Sequence, residues 1–254
     1  MRLHWLLPTV TGIPVLMYHR VWPGINNGLT ISPDKLREQW AYLKHEGYTA
    51  ISLPDFLNAT KNGTYSERSI LLTFDDGYVN NLEYVYPLLK EYNWKATFFI
   101  IADNIDGTAK EITDSVSRKM NLSELKQLDP EIVQLGMHGY NHENFTETTL
   151  YEIKKAIEAS IQAFEKSGLK YHKALAYPYG ARPGNAKTFS NLKNWMAASG
   201  IEAARHSSDL CAAWRSARES RCEYELDRGA RSCYTDRQVP PDRQTRRPVD
   251  PGRG

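Results

Sequence analysis

The chain has 254 residues, 41% hydrophobic, 24% charged and 11% aromatic, with a formal net charge of +2. That balance fits a globular domain with one sizeable core and offers no basic footprint for nucleic acid. No apolar run approaches the roughly 20 residues of a membrane span, and three cysteines in so long a chain cannot form a disulfide framework.

Residues 1–12 read as a lead-in. Its apolar run continues to Met17 but is broken by Pro8, Thr9, Thr11, Gly12 and Pro14, which makes a poor signal peptide. Pro14 to Tyr18 then predicts a short strand. Ser32-Pro33 is an N-cap followed by proline at the first helical position, and Leu36, Trp40 and Leu43 continue at helical spacing until Gly47. Ile51 to Leu53 reads as a brief strand and Pro54 to Ala59 as a short helix. Ile70 to Phe74 is a buried strand, almost continuously apolar. A helix through Leu82, Val85, Leu88 and Leu89 leads to a strand over Ala96 to Ile101.

The polar stretch Asp103 to Ser117 reads as an exposed loop. Beyond it come a helix over Ser123 to Leu128 and a strand over Ile132 to Met137. A long amphipathic helix follows over Thr146 to Lys166, then a strand over Lys173 to Tyr177 and a helix over Ala186 to Ala198. Strand–helix alternation of this kind argues for a parallel sheet or a β/α barrel, and both place chemistry at the C-terminal ends of their strands.

Composition changes abruptly after residue 200. Residues 201–254 hold no lysine but 11 arginines, and they contain all three cysteines, Cys211, Cys222 and Cys233. Their apolar residues are too few and too scattered to make a core face. We read 13–200 as the folded domain and 201–254 as an Arg-rich tail. A frame change near position 202 accounts for the lysine-to-arginine switch; a natural disordered tail is the alternative.

The strand ends carry the chemistry. Asp75-Asp76-Gly77 follows the Ile70–Phe74 strand, and Gly77 permits a turn that brings both carboxylates to the barrel mouth. By itself this tripeptide is also good turn chemistry. His138-Gly139-Tyr140-Asn141-His142 follows the next-but-one strand; histidines four apart can converge on one cation if the segment makes a helical turn. With Asp76 they form a two-His, one-carboxylate set with open positions, which is a catalytic type of metal site. Tyr177-Pro178-Tyr179-Gly180 places an aromatic loop at the same mouth, suited to a sugar face or to aiming a backbone N–H. His19 closes the first strand. No Gly-rich phosphate loop and no Gly-x-Ser-x-Gly elbow occurs.

Thr73-Phe74-Asp75-Asp76-Gly77, His138 to His142 and Tyr177 to Gly180 resemble, in order, the three motifs of the NodB-type polysaccharide deacetylases. The resemblance covers about Ile13 to Gly200. It implies a distorted β/α barrel, here incomplete at its C-terminal end, and a divalent metal, usually zinc. The implied activity removes N-acetyl groups from polymers of N-acetylglucosamine. By it Asp75 is the general base, Asp76, His138 and His142 bind the metal, and Pro178 and Tyr179 contact substrate. Pro14 to Arg20 is similar to the circularly permuted branch of poly-N-acetylglucosamine deacetylases, in which an N-terminal histidine, here His19, is the general acid. Ala176 stands where the family usually has an arginine that orients the base; Arg20 or Arg182 is the expected substitute. The resemblance also implies a monomer working on a polysaccharide at or outside the cell surface, with no nucleic-acid partner. Peptidoglycan or chitin as substrate, a small-molecule amidase and a non-catalytic carbohydrate-binding relic are the alternatives.

Overall fold

The computed structural model describes residues 12–64, 68–110 and 112–205. The cysteines and nearly all of the Arg-rich segment lie outside these residues. With them lies most of the sequence to which the expectation of a frame change near position 202 applies.

Among the described residues there are nine short strands and seven α-helices. In chain order they are β1 (Val15–Tyr18), β2 (Arg20–Val21), β3 (Thr30–Ile31), α1 (Pro33–His45), β4 (Thr49–Ala50), α2 (Leu53–Asn62) and β5 (Ser69–Phe74). A π-helical turn, Asn81–Val85, runs into α3 (Tyr86–Tyr92). Then come β6 (Ala96–Ile100), α4 (Asp103–Asp106), α5 (Leu122–Leu125), β7 (Val133–Met137), α6 (Leu150–Ser167), β8 (Ala174–Ala176), α7 (Ala186–Ala198) and β9 (Ala203–Arg205).

The helices start where their caps dictate. Ser32, Asn121 and Thr149 each accept a hydrogen bond from a first-turn N–H, and at Asn121 and Thr149 a glutamate three residues on completes a capping box. Three sequence expectations are corrected. The Ile51–Leu53 strand is displaced to Thr49–Ala50, because Ser52 caps a helix that already includes Leu53. The Asp103–Ser117 loop begins with the short helix α4. The domain does not end at residue 200: Ile201 is buried, and β9 pairs in register with β8.

The main sheet is parallel, in the order β1-β5-β6-β7-β8-β9, with β4 joined to the start of β5. It curls into a half-barrel with helices outside, the distorted barrel that the sequence led us to expect. Side-chain alternation divides its faces. Ile70, Leu72 and Phe74 of β5, Phe98 and Ile100 of β6 and Leu175 of β8 enter the large core, together with Trp40, Phe145 and Phe164 from other segments. Leu71, Phe99, Ala174 and Ala176 enter a smaller cluster with Ile13, Leu53 and Phe56, against which Val15 and Ala203 also pack.

This second face is narrow. A Cβ added to Gly136 of β7 would come within 2.7 Å of the Phe99 ring and 3.1 Å of the Ala174 carbonyl. Carried two residues at a time along each strand, the inner parity reaches His19, Asp75, His138, Ala176 and Arg205. Those positions form the mouth of the half-barrel.

Candidate active site

Register brings these residues level with one another. Tyr18 pairs with Phe74, and the ladder continues one step as the Asp75 N–H donates to the Tyr18 carbonyl at 2.9 Å. His19 therefore follows β1 where Asp75 follows β5. Ile100 pairs with Met137, and the His138 N–H donates to the Ile100 carbonyl at 2.9 Å. Ala176 pairs with Arg205.

The turn after β5 presents both carboxylates through two successive left-handed residues, Asp76 at φ 72° and Gly77 at φ 72°. That conformation is costly for aspartate and costs glycine little. At Gly77 a Cβ would also lie 2.9 Å from Ile100 Cδ1. The segment 117–120 secures the turn, with an isolated antiparallel bridge between Tyr78 and Lys119: Val79 N–H donates to the Arg118 carbonyl and Met120 N–H to the Gly77 carbonyl. Asn80, fully buried, accepts from the Val21 N–H at 3.0 Å and donates to the Val116 carbonyl at 2.9 Å.

The histidines converge, but not through a helical turn. The segment is an irregular loop with Gly139 at φ 77° and His142 at φ 64°. The Glu143 carboxylate shapes it, accepting from the Tyr140 N–H at 3.0 Å and the Asn141 N–H at 3.2 Å. A Cβ on Gly139 would sit 2.7 Å from that carboxylate.

His138 Nε2 and His142 Nε2 each stand 3.2 Å from Asp76 Oδ1. One ligand atom from each residue lies within 4.8 Å of the others. Asp76 Oδ1 is a buried oxygen with no hydrogen-bond partner of acceptable geometry. His138 Nδ1 lies 2.9 Å from the Ala176 carbonyl, which engages that nitrogen and leaves Nε2 free. Two imidazole nitrogens and an orphaned carboxylate oxygen, with no thiolate, make a donor set that fits a divalent cation. Burial by itself raises the Asp76 pKa, but the two histidines and the Lys119 ammonium outweigh it and hold the carboxyl well below the usual range. Burial pushes Lys119 down to about 8, against the opposing pull of Asp76.

Asp75 is held differently. Arg205 Nη2 donates to both of its oxygens at 2.5 Å, and Arg205 Nη1 lies 2.9 Å from Met17 Sδ on β1. Arg205 thus fills the place left by Ala176. Neither expected substitute does so: Arg20 lies over the Tyr78 ring and bonds Ser117, while Arg182 lies over Phe189. Sequence reading missed Arg205 because it falls in the compositionally aberrant segment. Its signal was its position five residues beyond Gly200, the glycine that follows α7, where a β/α unit places its next strand.

His19 faces this group. Burial lowers its pKa, Asp75 and Asp76 oppose that, and His138 and Arg205 add to it. Pro178 is buried, whereas Tyr179, at φ 59°, is 69% exposed with its ring 4.3 Å from that of His142. Among the described residues no helix is long and apolar enough to cross a membrane.

Comparison with known proteins identifies the family. Two curated relatives are a putative polysaccharide deacetylase, YxkH, from Bacillus subtilis and the poly-beta-1,6-N-acetyl-D-glucosamine N-deacetylase of Staphylococcus aureus. The chain is 27% identical to the first over 169 residues, covering 66% of this chain and 57% of the relative. It is 29% identical to the second over 160 residues, covering 59% and 54%. The chain therefore spans little more than half the length of these relatives. Among solved structures, the Streptococcus pyogenes deacetylase PplD superposes with a TM-score of 0.62 over 76% of this chain and 91% of that one, at 23% identity, a likeness of fold. The polysaccharide deacetylase family model matches residues 62–195, from the end of α2 into α7 and across every motif but His19. The chain belongs to the polysaccharide deacetylase family.

Proposed function

We propose that this protein is a metal-dependent hydrolase that removes N-acetyl groups from an N-acetylglucosamine polymer, releasing acetate. The observation that carries the reading is the adjacency of two unlike carboxylates on one turn. Asp76 faces two histidine nitrogens, while Asp75 is held through both of its oxygens by an arginine. Asp76, His138 and His142 would hold the cation, with zinc the best match to a nitrogen-rich set. A divalent cation there supplies Lewis acidity, polarising the N-acetyl carbonyl and making water easier to deprotonate.

The chain's own residues do the rest. Asp75, oriented by Arg205, takes a proton from the attacking water. The Tyr179 backbone N–H donates to the oxygen that gains charge as the carbonyl becomes tetrahedral. His19 protonates the sugar nitrogen as the C–N bond breaks, leaving acetate and a free amine. Tyr179's exposed ring offers an apolar face to a sugar. The S. aureus relative favours poly-β-1,6-N-acetylglucosamine over peptidoglycan or chitin as the polymer, and with it a site of action at or outside the cell surface. Ala176 and the aberrant C-terminal segment were the grounds for a non-catalytic relic; the Arg205–Asp75 pair speaks against the first of them.

The test is acetate release from β-1,6-linked N-acetylglucosamine oligomers by the full chain, with chitin oligomers and monomeric N-acetylglucosamine alongside. Release is expected to vanish on chelation and return with zinc. Release that ignores chelator overturns the metal role, and binding without release favours a lectin-like protein.

A further inference from the structure

Asp76 has two oxygens, and the structure treats them oppositely. Oδ1 faces the two histidine nitrogens; Oδ2 faces the Lys119 ammonium at 3.4 Å. The lysine is an unusual neighbour for a cation site. Its side chain is only 11% exposed, its ammonium lies 3.2 Å from the centre of the Tyr78 ring, and Arg20 approaches the same ring.

Lys119 is also delivered deliberately. Backbone bonds on either side of it, from Val79 to Arg118 and from Met120 to Gly77, fasten it against the turn that carries Asp76. Arg118 in turn is held by both oxygens of Glu124, the capping-box residue of α5. A long side chain anchored at both neighbouring residues has little freedom to leave its carboxylate.

We propose that Lys119 is a positioning residue that restrains Asp76 to a single-oxygen ligand and weakens its hold on the cation. The inference rests on the metal-centre reading above. With Oδ2 occupied by an ammonium, Asp76 cannot offer both oxygens, so coordination positions stay open for water and the N-acetyl carbonyl. The ammonium also shares the carboxylate's charge and repels a divalent cation, so the bound ion stays more electrophilic. This is the reverse of the usual outer partner, a carboxylate or carbonyl that makes a ligand more basic. Lys119 thus favours reactivity at the expense of affinity.

The two effects act in the same direction when the lysine is removed, which makes the test sharp. Zinc and cobalt would be titrated into the full chain at pH 7 against a chromophoric chelator, with the visible band of the cobalt form recorded. Lys119→Met should bind the cation about tenfold tighter, as expected for loss of a nearby like charge. Its cobalt band should weaken as Asp76 closes on the ion with both oxygens, and acetate release should fall. Lys119→Arg, which keeps the charge and donors, should restore the parent affinity and band. Lys119→Gln, which keeps a donor without the charge, should keep the parent band with intermediate affinity. A purely structural lysine would give the opposite sign, weaker binding in Lys119→Met. Weaker or unchanged affinity with an unchanged band overturns the proposal and leaves the metal centre standing. If Asp76→Ala binds the cation as well as the parent chain, the metal-centre reading falls, and this proposal with it.

Discussion

The middle of the sheet and its open seam contribute to one site by different means. β5, β6 and β7 are buried throughout and flanked on both sides, and their ends carry Asp75, Asp76, His138 and His142 within short contiguous motifs. The seam is formed by β1 and β9, the two ends of the strand order. It contributes His19 and Arg205 as single residues, 130 positions separating Arg205 from the Asp75 it holds. In the middle, each side chain is aimed by a local turn whose glycine stands in the motif itself, and the register of β5, β6 and β7 brings the turns together. Alignment of the base is non-local, because it exists only when the last strand is in register.

If that contrast is right, substitutions in the two regions fail in different ways. The largest effects belong to the central pair. Asp75→Asn should lower turnover about 10³-fold with the cation still bound, the scale of losing a general base. His138→Ala should lose the cation itself, measured by metal content after dialysis. If both variants lose metal, the division of labour between the two carboxylates is wrong.

Arg205→Ala probes the seam. It should lower kcat about 10²-fold with cation affinity unchanged, the scale expected when a reacting group is misplaced by about 1 Å. Since Arg205 also contacts Met17, some stability should be lost too, and a thermal melt separates the two effects. Unchanged kcat would make the arginine a strap between β1 and β9 and nothing more.

Gly136→Ala tests the packing of the central strands without touching a functional group. The added methyl meets the Phe99 ring and the Ala174 carbonyl, so stability should fall by about 1–3 kcal/mol, read from denaturant unfolding.

The smallest effect is a pH dependence on the β6–β7 side. Burial, with Asp106 and Glu143 adding repulsion, pushes Asp103 up to about 6. A carboxyl that holds its proton more tightly folded than unfolded stabilises the fold at low pH. That contribution is complete below about 4 and is lost as pH rises through about 6. Asp103→Asn should therefore raise the melting temperature at pH 7, by about 1 kcal/mol in stability after allowing for its partial exposure, and change nothing at pH 4. Equal stabilisation at both pH values would assign the effect to something other than ionisation.

Much of this was legible in the chain. Apolar runs bounded by caps and glycines located the long strands and helices, because local periodicity and end signals act within a few residues. Three motifs at strand ends singled out the proposed ligands and the proposed base, and alternation along a parallel strand accounts for which of these side chains enter the barrel. Strands of two or three residues were missed at Arg20–Val21, Thr30–Ile31 and Ala203–Arg205, because a pair of residues carries no period.

Thus the sequence by itself determined the fold class and singled out the strand ends, with Asp75, Asp76, His138 and His142 as the residues proposed to carry the chemistry. Only the tertiary structure decided that the histidines meet through a glycine-shaped loop rather than a helical turn. It alone showed that Lys119 divides the two oxygens of Asp76 and that Arg205, not Arg20 or Arg182, holds the base. The last two depend on a backbone segment docked from far along the chain, and no local pattern encodes a contact such as Arg205–Asp75, made across 130 residues.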